Sequence, residues 1–188
     1  MSFLQQCRQQ NLISGPALDK LILFADLILE WNPRINLTGF KSRNLVEELL
    51  LGEAVLALAR LSPSGKRILD FGSGAGIPGL VWAICEPEMH LTSVEVRAKK
   101  VAFQKEVVRS TGLKAQILVG RFPQAVRGRS FDLIVSRAIR FDPSLWREAE
   151  MLLSEDGMLV RFAAAGAAEP EWNCIPISTR SSLLIRTP

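Results

Sequence analysis

Residues 67–79 read Arg67-Ile-Leu-Asp70-Phe-Gly72-Ser-Gly74-Ala-Gly76-Ile-Pro78-Gly79, and this stretch decides the fold. RILDF is a short apolar run of strand length, and three glycines follow it at alternate positions. Glycine permits positive φ and lets the backbone approach a ligand closely, while Pro78 suits a first helical turn. Strand, tight turn and helix start in that order leave backbone N–H groups facing outward at the helix N-terminus. A second acid, Glu95, ends the next apolar run, where a carboxylate can accept both hydroxyls of a ribose.

Outward from this loop, apolar runs alternate with helical patterns, as in βαβ units of a parallel sheet. The spacing predicts strands at 67–71, 91–95, 116–119, 131–136 and 158–163, and helices at 78–85, 99–110 and 143–153. The tail adds two short strands, 174–178 and 183–186, which makes a mostly parallel seven-stranded sheet with helices on both faces. Before the loop, residues 4–13, 17–31 and 45–61 carry apolar side chains at three- and four-residue spacing and read as helices. The turn signal SPSGK at 62–66 divides an N-terminal helical extension, 1–62, from a cofactor-binding domain, 63–188. Within the extension Asn32-Pro33 reads as a turn.

Bulk properties narrow the function classes. The most apolar helix, from Leu18 to Trp31, is interrupted by Asp19, Lys20, Asp26 and Glu30, so it is amphipathic and no membrane span is expected. No basic segment leading into an apolar one marks a secretory signal, and the expectation is a cytoplasmic monomer. Three scattered cysteines and the single His90 provide neither a disulfide framework nor a metal ligand set, so no metal is expected. The segment Arg97–Arg147 holds twelve Lys and Arg against three acids, a net +9, which leaves −5 elsewhere in a chain of total charge +4. Such asymmetry fits a polyanion-binding surface, and it also fits a solvated basic face.

The glycine pattern by itself suits two cofactors. Gly74, Gly76 and Gly79 satisfy the dinucleotide GxGxxG spacing, with Glu95 about twenty residues on. Asp70, two residues before the first glycine, would repel a pyrophosphate but attract the ammonium of S-adenosylmethionine. The chain has no tyrosine, which removes the tyrosine–lysine type of dehydrogenase. The fourth strand ends in Ser136-Arg137-Ala138, without the Asn-Pro-Pro-aromatic sequence used to guide an exocyclic amine. No general base or nucleophilic cysteine stands out. An acceptor with an in-plane lone pair, such as guanine N7, needs none, because alignment and electrostatics suffice. Arg137 is the candidate catalytic residue: its planar fork can hold a carboxylate, a phosphate or the O6/N7 edge of guanine, the alternative being a salt bridge that caps the sheet edge.

Four segments together resemble a known family: WNPRINLTG at 31–39, DFGSGAGIPGL at 70–80, RAKKVAFQKEV at 97–107 and SRA at 136–138. They are similar to the RsmG family, also called GidB, of small-subunit ribosomal RNA methyltransferases, from about residue 15 to 162. The resemblance implies a Rossmann-like class I methyltransferase fold, S-adenosylmethionine as cofactor, and methyl transfer to N7 of a guanine in 16S rRNA, on naked RNA or on the small ribosomal subunit. It implies that Gly72 and Ile77 line the cofactor beside Asp70, Gly74 and Gly76, that Glu95 takes the ribose, that Phe122 and Pro123 border the adenine, and that Arg137 touches cofactor or target. Asn36 and Arg140 are the candidate substrate-binding residues. The family's Arg-His-Ile-x-Asp-Ser stretch is replaced here by EELLLGEAV at 47–55, and its Leu-Lys-Gly after the fifth strand by Phe162-Ala163-Ala164. Two further readings therefore stay open: a relative that binds cofactor and RNA with altered target or without turnover, and a methyltransferase acting on a small molecule or protein.

Overall fold

The structure, a computed structural model, describes residues 1–137 and 142–187. Seven strands form one sheet in the order β3-β2-β1-β4-β5-β7-β6: β1 Arg67–Phe71, β2 His90–Glu95, β3 Ala115–Val119, β4 Phe131–Ser136, β5 Leu153–Ala164, β6 Asn173–Pro176 and β7 Ser181–Arg186. The first five run parallel, while β7 is antiparallel to β5 and β6 to β7. All seven expected strands are present. β5 begins five residues earlier than the sequence pattern suggests, because Leu153 pairs with Phe131 before a register shift brings Met158 opposite Leu133.

Side chains alternate across the sheet as the period of two requires. Ile68, Leu133, Val160 and Leu183 point to one face, and Leu69, Ile134, Leu159 and Leu184 to the other. The first face carries most of the helices: α1 Phe3–Gln9, α2 Gly15–Ile35, α3 Arg43–Leu45, α4 Glu53–Leu58, α5 Gly79–Cys85 and α6 Ala98–Thr111. One hydrophobic cluster runs from Leu4 and Phe24 through Trp82 and Phe103 to Leu183, so the N-terminal helices share their core with the sheet. The second face is covered by α7 Pro143–Glu150, a 3₁₀ turn at Gln124–Val126 and the segment around Trp172.

Local chemistry explains the helix ends. Ser2 and Gln5 form a reciprocal capping box on α1, and Ser14 Oγ accepts from Ala17 N–H at the start of α2. The end of α2 corrects the sequence reading. Asn32-Pro33 is no turn but the last helical turn, and the helix stops at Asn36 in the left-handed conformation. Pro33 is exposed in this last turn, and Asn is among the few residues that adopt a left-handed cap readily. Asn32 is buried; its Oδ1 accepts from Thr38 N–H at 2.9 Å and its Nδ2 donates to Phe40 O at 3.0 Å, which folds the NLT segment back over the helix end.

The stretch expected as one helix from Leu45 to Leu61 is also revised. It comprises α3, a π-helical segment Val46–Gly52, and α4. At Gly52 a side chain has no room: a Cβ would lie 2.3 Å from Phe3 Cδ1 and 2.8 Å from Glu47 O. Close approach of α1 thus requires this glycine.

Candidate functional site

In an open parallel sheet, ligands bind beyond the carboxyl ends of the strands where the strand order reverses. Here that point is β1, flanked by β2 on one side and β4 on the other. The ends of these three strands contribute Gly72, Glu95 and Arg137 to one cleft of ≈ 600 Å³, lined also by Leu37 and Phe40 from the segment after α2 and by Leu50 of the π-helical segment. A second, mostly apolar recess of ≈ 250 Å³ continues it past Gly72 and Val96 to Phe122 and Leu145.

Gly72, Gly74 and Gly76 all have positive φ, at 65°, 59° and 82°. At Gly76 a Cβ would lie 2.4 Å from Leu80 Cδ1, so both the conformation and the packing demand glycine. Gly72, Gly74 and Ile77 line the cleft, together with Ser73 and Ala75; Gly76 faces the helix beneath.

Asp70 departs from the sequence expectation. It is fully buried and lies below the loop, with no surface in the cleft. Its Oδ2 accepts from Gly79 N–H at 2.8 Å, which anchors the first turn of α5, and its Oδ1 has no hydrogen-bond partner. Burial raises its pKa from 3.8 to about 7, against the opposing pull of the Gly79 hydrogen bond, with Glu95 raising it further and Arg137 lowering it. A direct contact to a ligand ammonium is corrected to a role under the floor, since the short strand end places this side chain between sheet and helix.

Glu95 is in the cleft, and both carboxylate oxygens already accept backbone N–H groups: Oε2 from Gly74 at 2.9 Å and Oε1 from Arg97 at 2.8 Å. A carboxylate has about four lone-pair positions, so two remain for hydroxyls. Phe122 lines the apolar recess and stacks on Phe71, ring centroids 4.3 Å apart and 24° between planes. Pro123 starts the 3₁₀ turn beside it and lines neither cavity.

Arg137 lines the cleft, yet its fork is engaged by the protein. Nη2 donates to Leu49 O at 2.6 Å and to Glu53 Oε2 at 2.9 Å, and Nη1 donates to Leu50 O at 3.1 Å. Both carbonyls belong to the π-helical segment. The guanidinium also sits over the Phe162 ring at 5.0 Å. Burial lowers the Arg137 pKa, offset by Glu53 and Asp70. Glu53 in turn accepts from Ser181 Oγ at 2.9 Å and Ser178 Oγ at 3.3 Å, so one carboxylate joins the cleft arginine to the β6–β7 turn. The replacement stretch EELLLGEAV therefore supplies Arg137 with its partners.

Asn36 is exposed and lines a neighbouring hollow of ≈ 350 Å³ with Pro33 and Lys41, which shares Thr38 with the main cleft. Arg140 lies outside the described residues. Sequence reasoning missed three contributors: Phe71, which backs the recess; Lys100, which lines the cleft one helical turn into α6; and Gln104, buried beneath the loop. A glutamine between Phe103 and Val107, on a helix face otherwise apolar, was the available signal.

Sheet order, glycine loop and acidic second strand define the Rossmann-like methyltransferase class. The chain belongs within it to the GidB family, rRNA small subunit methyltransferase G, which it matches over residues 17–181. It is 35% identical over 154 residues to the ribosomal RNA small subunit methyltransferase G of Syntrophotalea carbinolica, covering 79% of this chain and 70% of that protein. The Desulfitobacterium hafniense protein of the same name is 34% identical, with 84% and 67% covered. Among solved structures, the C-terminal domain of precorrin-6Y C5,15-methyltransferase from Rhodobacter capsulatus superposes with a TM-score of 0.55 at 16% identity, covering 71% of this chain and 85% of that one, which supports the fold alone.

Proposed function

We propose that this protein transfers a methyl group from S-adenosylmethionine to N7 of a guanine in small-subunit ribosomal RNA. The observation that carries the reading beyond family membership is the absence, among the described cleft residues, of any group suited to act as a base. Its ionisable members are Glu95, Arg97, Lys100 and Arg137, and Glu95 is tied to two backbone N–H groups. An acceptor needing deprotonation would be poorly served, whereas guanine N7 attacks through a lone pair it already has.

The residues fit the cofactor. The main cleft, at ≈ 600 Å³, falls within the range of small-molecule sites; the smaller recess beside the Phe71–Phe122 stack offers apolar surface for a purine, Glu95 its free lone pairs for ribose hydroxyls, and the loop backbone at Ser73–Ala75 a polar wall for the amino-acid end. When bound, S-adenosylmethionine supplies a sulfonium methyl, and the transfer forms one C–N bond as the C–S bond breaks, with no proton moved. The protein's work is alignment, an apolar wall from Leu37, Phe40 and Leu50, and a positive field from Arg97 and Lys100, the Arg137 charge being matched by Glu53. That field orients a polyanionic substrate and its phosphates. Asn36 and Lys41, across Thr38, extend the same surface toward RNA, and Arg140 belongs to the basic strip on the sequence alone.

The test is methyl transfer from labelled S-adenosylmethionine to small subunits, or to their RNA, lacking N7 methylation, followed by base-resolved mapping. One modified guanine is expected. Label appearing only on protein or small molecules, or binding of RNA and cofactor without transfer in a single turnover, would overturn the proposal.

A further inference from the structure

We propose that Gln104 is a positioning residue for the cofactor loop, acting with Ser93 through Ser73 and Gly74; this rests on the cofactor reading above. A primary amide with no exposed surface costs free energy unless its hydrogen bonds are made. Gln104 is 0% exposed, and all its partners lie in or directly under one loop. Its Nε2 donates to Ser73 Oγ at 2.8 Å and to Gly74 O at 2.9 Å, which uses both hydrogens. Its Oε1 accepts from Ser93 Oγ at 2.7 Å.

The hydroxyls close a ring. Ser93 Oγ lies 2.7 Å from Ser73 Oγ as well, but it has a single hydrogen. With that hydrogen on Gln104 Oε1, the Ser73 hydroxyl is left to donate to Ser93 Oγ or, at 3.4 Å, to Val94 O. Ser73 and Ser93 are themselves buried, at 4% and 1% exposure.

Gly74 is the residue held. Its φ is +59°, its N–H donates to Glu95 Oε2, and its carbonyl accepts from Gln104. The two peptides that flank Gly74 are thereby each pinned, one through its N–H and the other through its carbonyl. Rotating either one leaves a buried donor on Gln104 or an oxygen on Glu95 without its partner. Along α6 the spacing is four residues: Lys100 reaches the cleft and Gln104, one turn on, lies beneath the loop that faces it. α6 thus couples the cleft's cation and its backbone wall.

Gln104→Leu keeps approximate volume and removes the donors. The first measurement needs no cofactor: amide hydrogen exchange at residues 73–77 is expected to accelerate at least about tenfold in the full chain, with α2 and β4 unchanged. Exchange in the loop equal to wild type overturns the clamp, whatever the reaction. Next, S-adenosylhomocysteine should bind about tenfold more weakly. The KM for S-adenosylmethionine should rise by a similar factor, with kcat and the KM for RNA within about twofold. A loss spread equally over kcat and both KM values would show general destabilisation and refute a positioning role. Adding Ser93→Ala to Gln104→Leu should weaken cofactor binding no further than Gln104→Leu alone, because the two act as one unit; additive losses count against the ring. If Gln104→Leu does not fold, Gln104→Met, unbranched and of similar length, carries the same expectations and the same refutations. Wild-type protein that binds no S-adenosylhomocysteine overturns the cofactor reading, an outcome separate from unchanged loop exchange.

Discussion

Replacing Asp70 by asparagine removes a titration buried at the base of the glycine loop. The Asp70 carboxyl, with a pKa of about 7 in place of 3.8, holds its proton across a window in which the unfolded chain has released it. Its stabilising contribution is therefore fully present below about pH 4 and is lost as pH rises toward about pH 7. Each unit of difference is worth 1.36 kcal/mol, so about three units correspond to an order of 4 kcal/mol for a group sealed from solvent. The asparagine side chain of the D70N variant would still accept from Gly79 N–H while placing an uncharged amide where Oδ1 has no partner. That adds a pH-independent offset but no slope. Urea denaturation followed by fluorescence of the four tryptophans, run on both proteins from about pH 4 to about pH 8, isolates the difference. The D70N protein should gain on wild type steadily across the window, by several kcal/mol in all, and the gap should then level off. Parallel curves would refute the reasoning, because they would mean that Asp70 ionises in the folded protein as it does in water.

Three other outcomes follow from the geometry. Gly76→Ala should cost about 2–3 kcal/mol, from its φ of +82° and the Leu80 contact, while Gly65→Ala, at φ +71° with open space around it, should cost only about 1 kcal/mol in the same thermal melts. Arg137→Met leaves Glu53 buried without its cation and removes the side-chain hydrogen bonds to two π-helix carbonyls, so denaturation should show a loss of about 3 kcal/mol or more. Arg97→Ala and Lys100→Ala should each flatten the salt dependence of RNA affinity by about one unit of slope, whereas Arg109→Ala, whose charge is matched by Glu106, should change it less.

What the sequence made legible follows periodicity. Ile68 and Leu69, or Leu183 and Leu184, are adjacent apolar residues because each strand is covered on both faces, and such runs bounded by turn residues declare strands directly. The loop was equally readable, since three alternate glycines after a strand permit the positive φ that all three adopt. Individual site roles were less so. Glu95 and Arg137 line the main cleft and Phe122 the adjoining recess, but their partners lie elsewhere in the chain: Phe71 under Phe122, the Gly74 amide on Glu95, and Leu49, Leu50 and Glu53 on Arg137.

The π-helical segment marks where local reasoning reaches its limit. VEELLLG has the composition of an ordinary helix, and nothing in its own propensities favours i→i+5 bonding. The wider turn is compensated by distant groups: Phe3 against Gly52 from one end of the chain, and Arg137 on the Leu49 and Leu50 carbonyls from the end of β4. A stretch in which the resemblance marks a departure from the family's residues thus still holds Arg137 at the cleft. It does so with backbone oxygens and with Glu53, a carboxylate whose other ties run to Ser178 and Ser181 at the far end of the sheet. The identity of residues 47–55 is consequently constrained by the cleft arginine and the β6–β7 turn together, so substitutions in any one of the three should be felt in the other two.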